Sequence, residues 1–176
     1  ISSNQFRSFP IFGISSETPF KLKNSKKNIT YTPKIKIVFT PGVSNSNKIS
    51  NEDSSINSYT IENNSNLNRY TGTDKLDNSK RLDLSFNIQN DILNGTILST
   101  YEFTNNSNFH YSQGNEKNLS DFLGNIRLSD KQYNGFYEFR FDPHKNYMKN
   151  QNIELSYENK IGNYKISYLD QKNKTQ

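Results

Sequence analysis

ITYTPKIKIVFT, residues 29–40, alternates two kinds of side chain over twelve consecutive positions. One parity holds Ile29, Tyr31, Pro33, Ile35, Ile37 and Phe39, and the other holds Thr30, Thr32, Lys34, Lys36, Val38 and Thr40. Because successive side chains of a β-strand point to opposite faces, this stretch predicts a strand with one apolar face and one largely polar face.

The same alternation recurs along the chain. Six further segments show it, at 82–89, 96–103, 121–129, 136–142, 153–158 and 164–169, and a less regular one lies near 6–16. Helices are disfavoured because the chain has no alanine, the best helix former, and 28 asparagines, which compete with helical hydrogen bonds. The sequence therefore predicts an all-β, antiparallel protein of about eight strands.

The composition excludes several other classes of protein. Only 31% of the residues are hydrophobic and the mean hydropathy is −0.95, whereas soluble domains are about 45–50% apolar, so a thick conventional core is excluded. Disorder is disfavoured by 11 Tyr and 12 Phe, since disordered chains are poor in aromatic residues. The longest apolar run, Ile37-Val38-Phe39, excludes a transmembrane helix, which needs about 20 apolar residues.

Two architectures produce strands with one apolar face. In a soluble β-sandwich these faces pack together, and in an outer-membrane barrel they meet lipid. The two longest regularly alternating segments, 29–40 and 121–129, have twelve and nine residues, close to the roughly 9–11 of a membrane strand. The predicted links are tight at 91–94, 130–132 and 160–163 but longer at 41–80, 105–118 and 143–150, while the turn at 21–28 fits this sorting less well. Short turns at one end and long loops at the other favour the barrel.

Aromatic residues add to this preference. Tyr31, Tyr101, Phe103, Tyr133, Phe141 and Tyr164 lie near the predicted strand ends. Membrane proteins concentrate tyrosine and other aromatic residues where the protein meets the membrane–water interface. The pattern is therefore typical of an outer-membrane barrel.

Catalytic and metal-binding residues are not predicted. The two histidines, His110 and His144, lie in neither a metal-ligand spacing nor a nucleophile motif, and the eight glycines form no phosphate-binding loop. The net charge of +5 is spread without a dense basic run, so no nucleic-acid partner is predicted. We accordingly expect no enzyme activity, no cofactor and no metal.

The forty-residue link 41–80 is the informative stretch. Connections of this length without clear periodicity are usually functional or disordered. Arg69 and Asp74 flank a predicted turn at Thr71-Gly72-Thr73, where glycine can adopt a positive φ. An ion pair between the two side chains is expected to hold that turn.

Two strings in this loop resemble signatures of the LptD family of outer-membrane lipopolysaccharide-assembly proteins. Asn51-Glu52-Asp53-Ser54 is similar to its N-E-D-S motif, and the string 68–76, NRYTGTDKL, resembles N-R-[FY]-[ST]-G-x-D-R-[IV]. The resemblance covers roughly 5–142 and is sharpest over 51–90. The sequence departs from the pattern at Lys75, where arginine is usual, at Lys34, where glutamate is frequent, and at Ser99-Thr100, where Gly-Gln is common.

The resemblance implies transport rather than catalysis. Residues 1–176 would be the middle part of a single transmembrane β-barrel in the Gram-negative outer membrane, with the long loop 41–80. Lipopolysaccharide would arrive from a periplasmic LptA-like bridge through an N-terminal domain, and an LptE-like lipoprotein plug would fill the lumen. Two alternatives remain open: a small outer-membrane barrel of another function, such as an adhesin, and a soluble β-sandwich binding module.

The resemblance also assigns roles to groups of residues. The loop motif, which shapes the loop or faces the plug, consists of Asn51, Glu52, Asp53, Ser54, Asn68, Arg69, Tyr70, Gly72 and Asp74. The lumen-facing candidates are Lys34, Lys36, Asp83, Asn125, Arg127, Glu138 and Arg140. The lipid-facing candidates are Ile35, Ile37, Phe39, Leu84, Phe86, Tyr137 and Phe139.

Overall fold

The computed structural model describes residues 9–22, 28–40, 59–70, 75–103 and 118–172. They form nine strands and one short helix: β1 (Phe12–Glu17), β2 (Phe20–Leu22), β3 (Ile29–Phe39), α1 (Ile61–Asn64), β4 (Lys80–Gln89), β5 (Leu93–Glu102), β6 (Phe122–Ser129), β7 (Tyr133–Asp142), β8 (Tyr147–Glu158) and β9 (Asn163–Gln171). The all-β prediction is confirmed. In these ranges no helix has both the length and the apolar character needed to cross a membrane.

The strands form a single antiparallel meander. Their order is β1-β3-β4-β5-β6-β7-β8-β9, and β2 pairs with β3 beside β1. Over the described ranges the sheet is open, with β1 and β2 along one edge and β9 along the other.

The strand expected near 6–16 is divided differently in the structure. β1 and β2 pair with β3 in one continuous register. Thr18 and Pro19 interrupt this pairing opposite Pro33, because proline supplies no backbone N–H to the ladder. The interruption yields a ninth strand beyond the eight that the alternation predicts.

The register aligns the alternation of neighbouring strands into two distinct faces. On the apolar face Ile35 lies opposite Leu84, and on the polar face Lys36 lies opposite Asp83. Large side chains of the apolar face are exposed: Phe12, Ile14, Phe20, Leu22, Ile35, Ile37, Phe39, Leu84, Phe86, Ile97, Ile126, Leu128, Leu155, Ile166 and Tyr168. The polar face is the buried one over β3–β5, where Lys36 and Asp83 are 7% and 5% exposed. This distribution is the reverse of that in a soluble protein.

The short turns share one local device. Asn90 Oδ1 accepts two backbone N–H groups at 2.7 and 2.8 Å, and Asn159 Oδ1 accepts two at 2.8 and 3.0 Å. Asp130 Oδ1 accepts one at 2.8 Å. Such side chains stabilise tight turns by bonding to the backbone just ahead of them. The three tight links are therefore confirmed, with ends shifted by at most two residues.

The link expected at 143–150 is wrong, because β8 already begins at Tyr147. Asp142 Oδ1 accepts the next two available backbone N–H groups at 2.9 and 3.0 Å. Asn146 has a φ of 52°, a left-handed conformation that asparagine tolerates, and the chain reverses within four residues. The polar run 149–152 at the start of β8 hides the alternation, so the sequence pattern places the strand too late.

Aromatic side chains lie at both ends of the apolar face. At the end with the short turns, Tyr157 stacks between Tyr133 and Tyr164, with ring centroids 4.8 and 6.4 Å apart. At the end with the long links, Tyr101 and Phe103 meet edge to face at 5.2 Å. Most strand positions of this face between the two groups carry apolar side chains, and Ser99 and Gln151 are among the exceptions.

Candidate functional site

The long loop returns part of itself to the polar face of the sheet. Its two ends are joined, since Thr40 N–H donates to Ser79 O at 3.1 Å and Ser79 N–H donates to Thr40 Oγ1 at 2.8 Å. Residues 59–70, called the cap segment below, bond to side chains of β3, β4, β5 and β7. The candidate site is the contact between the cap segment and the polar face.

A small apolar cluster seats the cap segment. Tyr59, 1% exposed, packs with Leu98 of β5 and Leu123 of β6, and Ile61 packs against the three. The two leucines pair with each other across the strands on the polar face, where apolar side chains break the pattern. Apolar residues on the polar face of the strands are thus the sequence signal for the place where the cap segment packs.

The hydroxyl of Tyr59 begins a buried chain of hydrogen bonds. It donates to Thr100 Oγ1 at 3.1 Å and accepts from Ser120 Oγ at 2.8 Å. Thr100 Oγ1 also lies 2.7 Å from Asp83 Oδ1. Each buried hydroxyl therefore has a partner, which offsets the cost of removing these groups from water.

Cations of the sheet hold the backbone that follows α1. Lys36 Nζ donates to Asn64 O at 2.6 Å, and Arg81 Nη2 donates to the carbonyls of Asn66 and Leu67 at 2.7 and 3.2 Å. The last carbonyls of a helix lack partners within the helix. Lys36 of β3 supplies such a partner for Asn64, the last residue of α1, and Arg81 of β4 fixes the path of the cap segment beyond the helix.

Six buried charges form an ion-pair network between the cap segment and the sheet. Their order is Lys36, Asp83, Arg81, Asp77, Arg69 and Glu102, with successive N···O distances of 2.9, 3.0, 2.9, 2.5 and 3.2 Å. Positive and negative charges alternate, so three cations balance three anions. Each of the six side chains is at most 8% exposed. A balanced chain of this kind is the arrangement in which buried charges can be tolerated.

Arg69 joins the cap segment to the rest of this network. Its Nε and Nη2 bond to both oxygens of Asp77, and Nη2 also donates to Glu102 of β5 at 3.2 Å. Burial alone would lower the pKa of Arg69, but the neighbouring charge of Asp77 raises it overall. Asn68 supports the arrangement, since its Oδ1 accepts the N–H groups of Tyr70 and Asp77 at 3.3 and 3.0 Å.

A second charged cluster lies beside the first. Lys149 Nζ of β8 lies 3.0 Å from Asp121 Oδ2 and 3.2 Å from Asp142 Oδ2. Arg140 of β7 donates to the carbonyl oxygen of Tyr59. These contacts attach the entry into β6 and the start of the cap segment to the β7–β8 hairpin.

The contacts of this site hold a segment of the loop in place. Its charges are paired with one another, and the described ranges contain no group of three or more His, Cys, Asp or Glu side chains that could hold a metal ion. These contacts fix part of the loop across the polar face of β3–β5.

A comparison with protein-family models identifies the kind of protein involved: the model for LptD, LPS transport system D, matches residues 1–176. The chain belongs to the LptD family.

The family match confirms the resemblance and extends it beyond 142, through β8 and β9. Comparison with curated proteins finds no match. LptD belongs to a system for lipopolysaccharide transport, so the class of function is transport.

The LptD loop motif is only partly within the described residues. Asn68, Arg69 and Tyr70 lie in the cap segment and are buried or half-buried. Asn51, Glu52, Asp53, Ser54, Gly72 and Asp74 lie outside the described residues. The ion pair expected between Arg69 and Asp74 is therefore untested, and the partners of Arg69 within the described residues include Asp77 and Glu102.

The lumen-facing candidates share the polar face but not one environment. Lys36, Asp83 and Arg140 contact the cap segment or its network. Lys34 forms an exposed pair with Glu17 at 3.3 Å. Arg127 lies over the ring of Phe136 at 5.2 Å, and Glu138 is exposed on β7.

Several residues of the site are missed by sequence reasoning. They are Asp77, Arg81, Glu102, Asp121, Asp142 and Lys149. Arg81 and Glu102 do carry a signal, because each lies on the polar parity at the end of a strand that borders a long link. Asp77 carries none, since nothing in its neighbourhood distinguishes it from Asp74.

Two tyrosines of the cap segment are expected to ionise only at a pH above the ordinary tyrosine pKa. Burial, together with the nearby charge of Asp77, raises the pKa of Tyr70 to about 12, and burial raises the pKa of Tyr59 as well. A pKa raised in the folded state means that the associated stability is present below about pH 10, the ordinary tyrosine value, and is lost as the pH rises through the folded value. The cap segment should therefore loosen only in strong alkali.

An ultraviolet difference titration of the folded full-length protein measures this. Tyr70→Phe should remove a group that ionises near pH 12. Tyr133→Phe, at the opposite end of the sheet, should leave that step in place. Loss of a group that ionises at the ordinary tyrosine pH in Tyr70→Phe would contradict the burial of Tyr70.

Proposed function

We propose that this chain forms part of the wall of an outer-membrane β-barrel that delivers lipopolysaccharide to the outer leaflet of the Gram-negative cell envelope. Membership of the LptD family supports the cargo. On this proposal residues 1–176 belong to a single barrel domain, and the loop 41–80 folds over the lumen side. No bond is made or broken in the cargo, so the protein is not an enzyme.

The observation that carries the barrel proposal is the inverted distribution of side chains. Ile14, Ile37 and Ile166 are 79%, 54% and 73% exposed on the apolar face, while Arg69 and Arg81 are buried against the polar face. A soluble sandwich requires a second sheet over the apolar side chains. Within the described ranges no second sheet lies there. Lipid is the partner that such a face fits, since outer-membrane barrels turn an apolar band outward.

The cap segment supports a division of the lumen side. It covers the polar face of β3–β5 and reaches Leu123 of β6 and Arg140 of β7. Arg127 and Glu138 lie on the same face of β6 and β7, nearer the short turns, and remain exposed. We place an LptE-like lipoprotein plug against this open part. An LptA-like periplasmic bridge would supply lipopolysaccharide through the family's N-terminal domain.

The site residues take structural roles on this proposal. Asn68, Arg69 and Tyr70, with Asn51, Glu52, Asp53, Ser54, Gly72 and Asp74 of the same motif, fix the loop. The lumen wall is formed by Lys34, Lys36, Asp83, Asn125, Arg127, Glu138 and Arg140. Lys34, Arg127 and Glu138 have exposed side chains, and we expect these residues to meet the exported lipid or the plug. Lys36, Asp83 and Arg69 are buried in the contact between the cap segment and the sheet, so their role on this proposal is to hold the loop.

Depletion of the full-length protein tests the transport proposal. We expect lipopolysaccharide to accumulate before the outer leaflet, because its route across the membrane is missing. Labelling of surface-exposed lipopolysaccharide before and after depletion measures the effect. Normal surface levels in depleted cells would contradict the transport function and favour a barrel of another kind, such as an adhesin.

Fractionation separates the barrel from the sandwich. The full-length protein should be recovered in the outer membrane and should migrate differently in detergent gels before and after heating, because closed barrels resist unfolding by detergent. A water-soluble monomer without heat-dependent migration would contradict both barrel proposals.

A further inference from the structure

A groove of about 410 Å³ crosses the apolar face from β3 to the start of β6. Its floor is Ser99, and larger side chains such as Leu84, Ile97 and Phe122 form its walls. Leu84 lies directly opposite Ser99 in the register of β4 and β5, so the small serine creates the depression. The volume falls within the roughly 300–1,000 Å³ of ligand pockets.

The polar group at the floor of the groove does not need a hydrogen bond from an occupant. Ser99 is 5% exposed, and its Oγ lies 3.2 Å from Ser120 Oγ and 3.5 Å from Ser120 O, in the segment that precedes β6. Its hydroxyl is therefore already hydrogen-bonded within the protein. The surface that remains is hydrocarbon, which an acyl chain fits better than water does.

A cation with aromatic neighbours lies at the long-link end of the same face. Lys80 Nζ is 5.2 Å from the ring centroid of Phe39, and the backbone of Phe103 bonds to Lys80 O at 2.8 Å. Tyr101, which lines the groove, contacts Phe103 edge to face and joins the two features. An exposed ammonium group attracts phosphate, and aromatic rings provide flat surfaces on which sugar rings can stack.

We propose that the groove and Lys80 together bind one phosphorylated glycolipid, lipopolysaccharide of the leaflet at the long-link end, with an acyl chain over Ser99 and the phosphorylated sugar at Lys80. The charge of Lys80 and the exposed rings of Phe39 and Phe103 favour this occupant over an ordinary phospholipid, which lacks the sugar. The inference rests on the proposed membrane location, and it adds a binding site on the outer surface of the wall, away from the polar face.

Photochemical crosslinking tests the site directly. Full-length protein is reconstituted in phosphatidylcholine vesicles with a trace of lipopolysaccharide that carries a photoreactive group on one acyl chain. After irradiation, mass spectrometry should find the label on peptides that contain Leu84 and Ser99. Ser99→Leu, which fills the groove, should abolish this labelling. Lys80→Gln should reduce it about three- to fivefold, the upper part of the range for an exposed charge contact.

Two variants serve as matched controls. Ser16→Leu adds the same side chain to the apolar face on β1, on the far side of Ile35 from the groove. Lys131→Gln removes the same charge from the short-turn end of the sheet. Both should leave the labelling of the groove unchanged, and all four variants should retain heat-dependent migration.

The outcomes separate this site from the transport function. Labelling that is unchanged in both Ser99→Leu and Lys80→Gln would overturn the site while leaving transport intact. Equal labelling by photoreactive phosphatidylglycerol, or by dephosphorylated lipopolysaccharide, would overturn the assignment to a phosphorylated glycolipid. Failure of the proposed function appears elsewhere, as normal surface lipopolysaccharide after depletion.

Discussion

Arg69→Ala is expected to destabilise the contact between cap segment and sheet by about 3–5 kcal/mol, the usual cost of removing one partner from a buried ion pair. The substitution leaves Asp77 and Glu102 buried with two cations facing three anions in the network. The cap segment should leave the polar face, because as long as it stays bound an uncompensated negative charge remains buried without contact to water. Limited proteolysis of the full-length protein and its recovery in the outer membrane measure the effect.

Two comparisons isolate charge balance as the cause. Arg127→Ala removes an exposed arginine over an aromatic ring and should change neither protease sensitivity nor recovery by much. Adding Glu102→Gln to Arg69→Ala restores equal numbers of buried cations and anions and should recover part of the lost stability. If Arg69→Ala matches the parent protein in both measurements, the network does not hold the cap segment.

Ile126→Arg is expected to block assembly into the membrane. Ile126 lies near the middle of β6 on the apolar face, opposite Tyr137. On the proposed barrel this position faces lipid, where arginine costs about 2–4 kcal/mol at the midplane. The yield of heat-modifiable protein in the outer membrane should fall sharply.

The adjacent residue supplies the control. Asn125→Arg introduces the same side chain one position earlier, on the polar face and opposite Glu138. Because its neighbour is a carboxylate and the face is polar, this variant should assemble at the parent level. Equal yields of the two variants would contradict the assignment of opposite environments to the two faces.

The sheet follows from the sequence because it depends on local pattern. Ile35 and Lys36 show opposite parity, and the same parity governs Leu84 and Asp83 in the strand that pairs with them. Tight turns also follow, since Asn90, Asp130 and Asn159 carry their own hydrogen-bond acceptors. The pattern fails where local signals vanish, as at the polar start of β8.

The cap segment could be predicted only in part, for a physical reason. The loop motif draws attention to Arg69, but the choice among nearby carboxylates depends on where the chain folds back. Arg69 meets Glu102 across thirty-three positions of sequence, on a strand whose distance is set by the register of β4 and β5. Contacts of that kind follow from the assembled sheet rather than from spacing along the chain.

The alternating charges across β3, β4 and β5 also bear on how the sheet assembles. A slip of one residue between two strands moves every side chain to the opposite face. For β4 such a slip would carry Arg81 and Asp83 onto the apolar surface, and Asp83 would lose its ion pair with Lys36. Leu82 and Leu84 would then lie beneath the cap segment. Misaligned intermediates would thus lose their salt links and present charge to hydrocarbon at once. The charge pattern of the polar face therefore favours a single register of the strands.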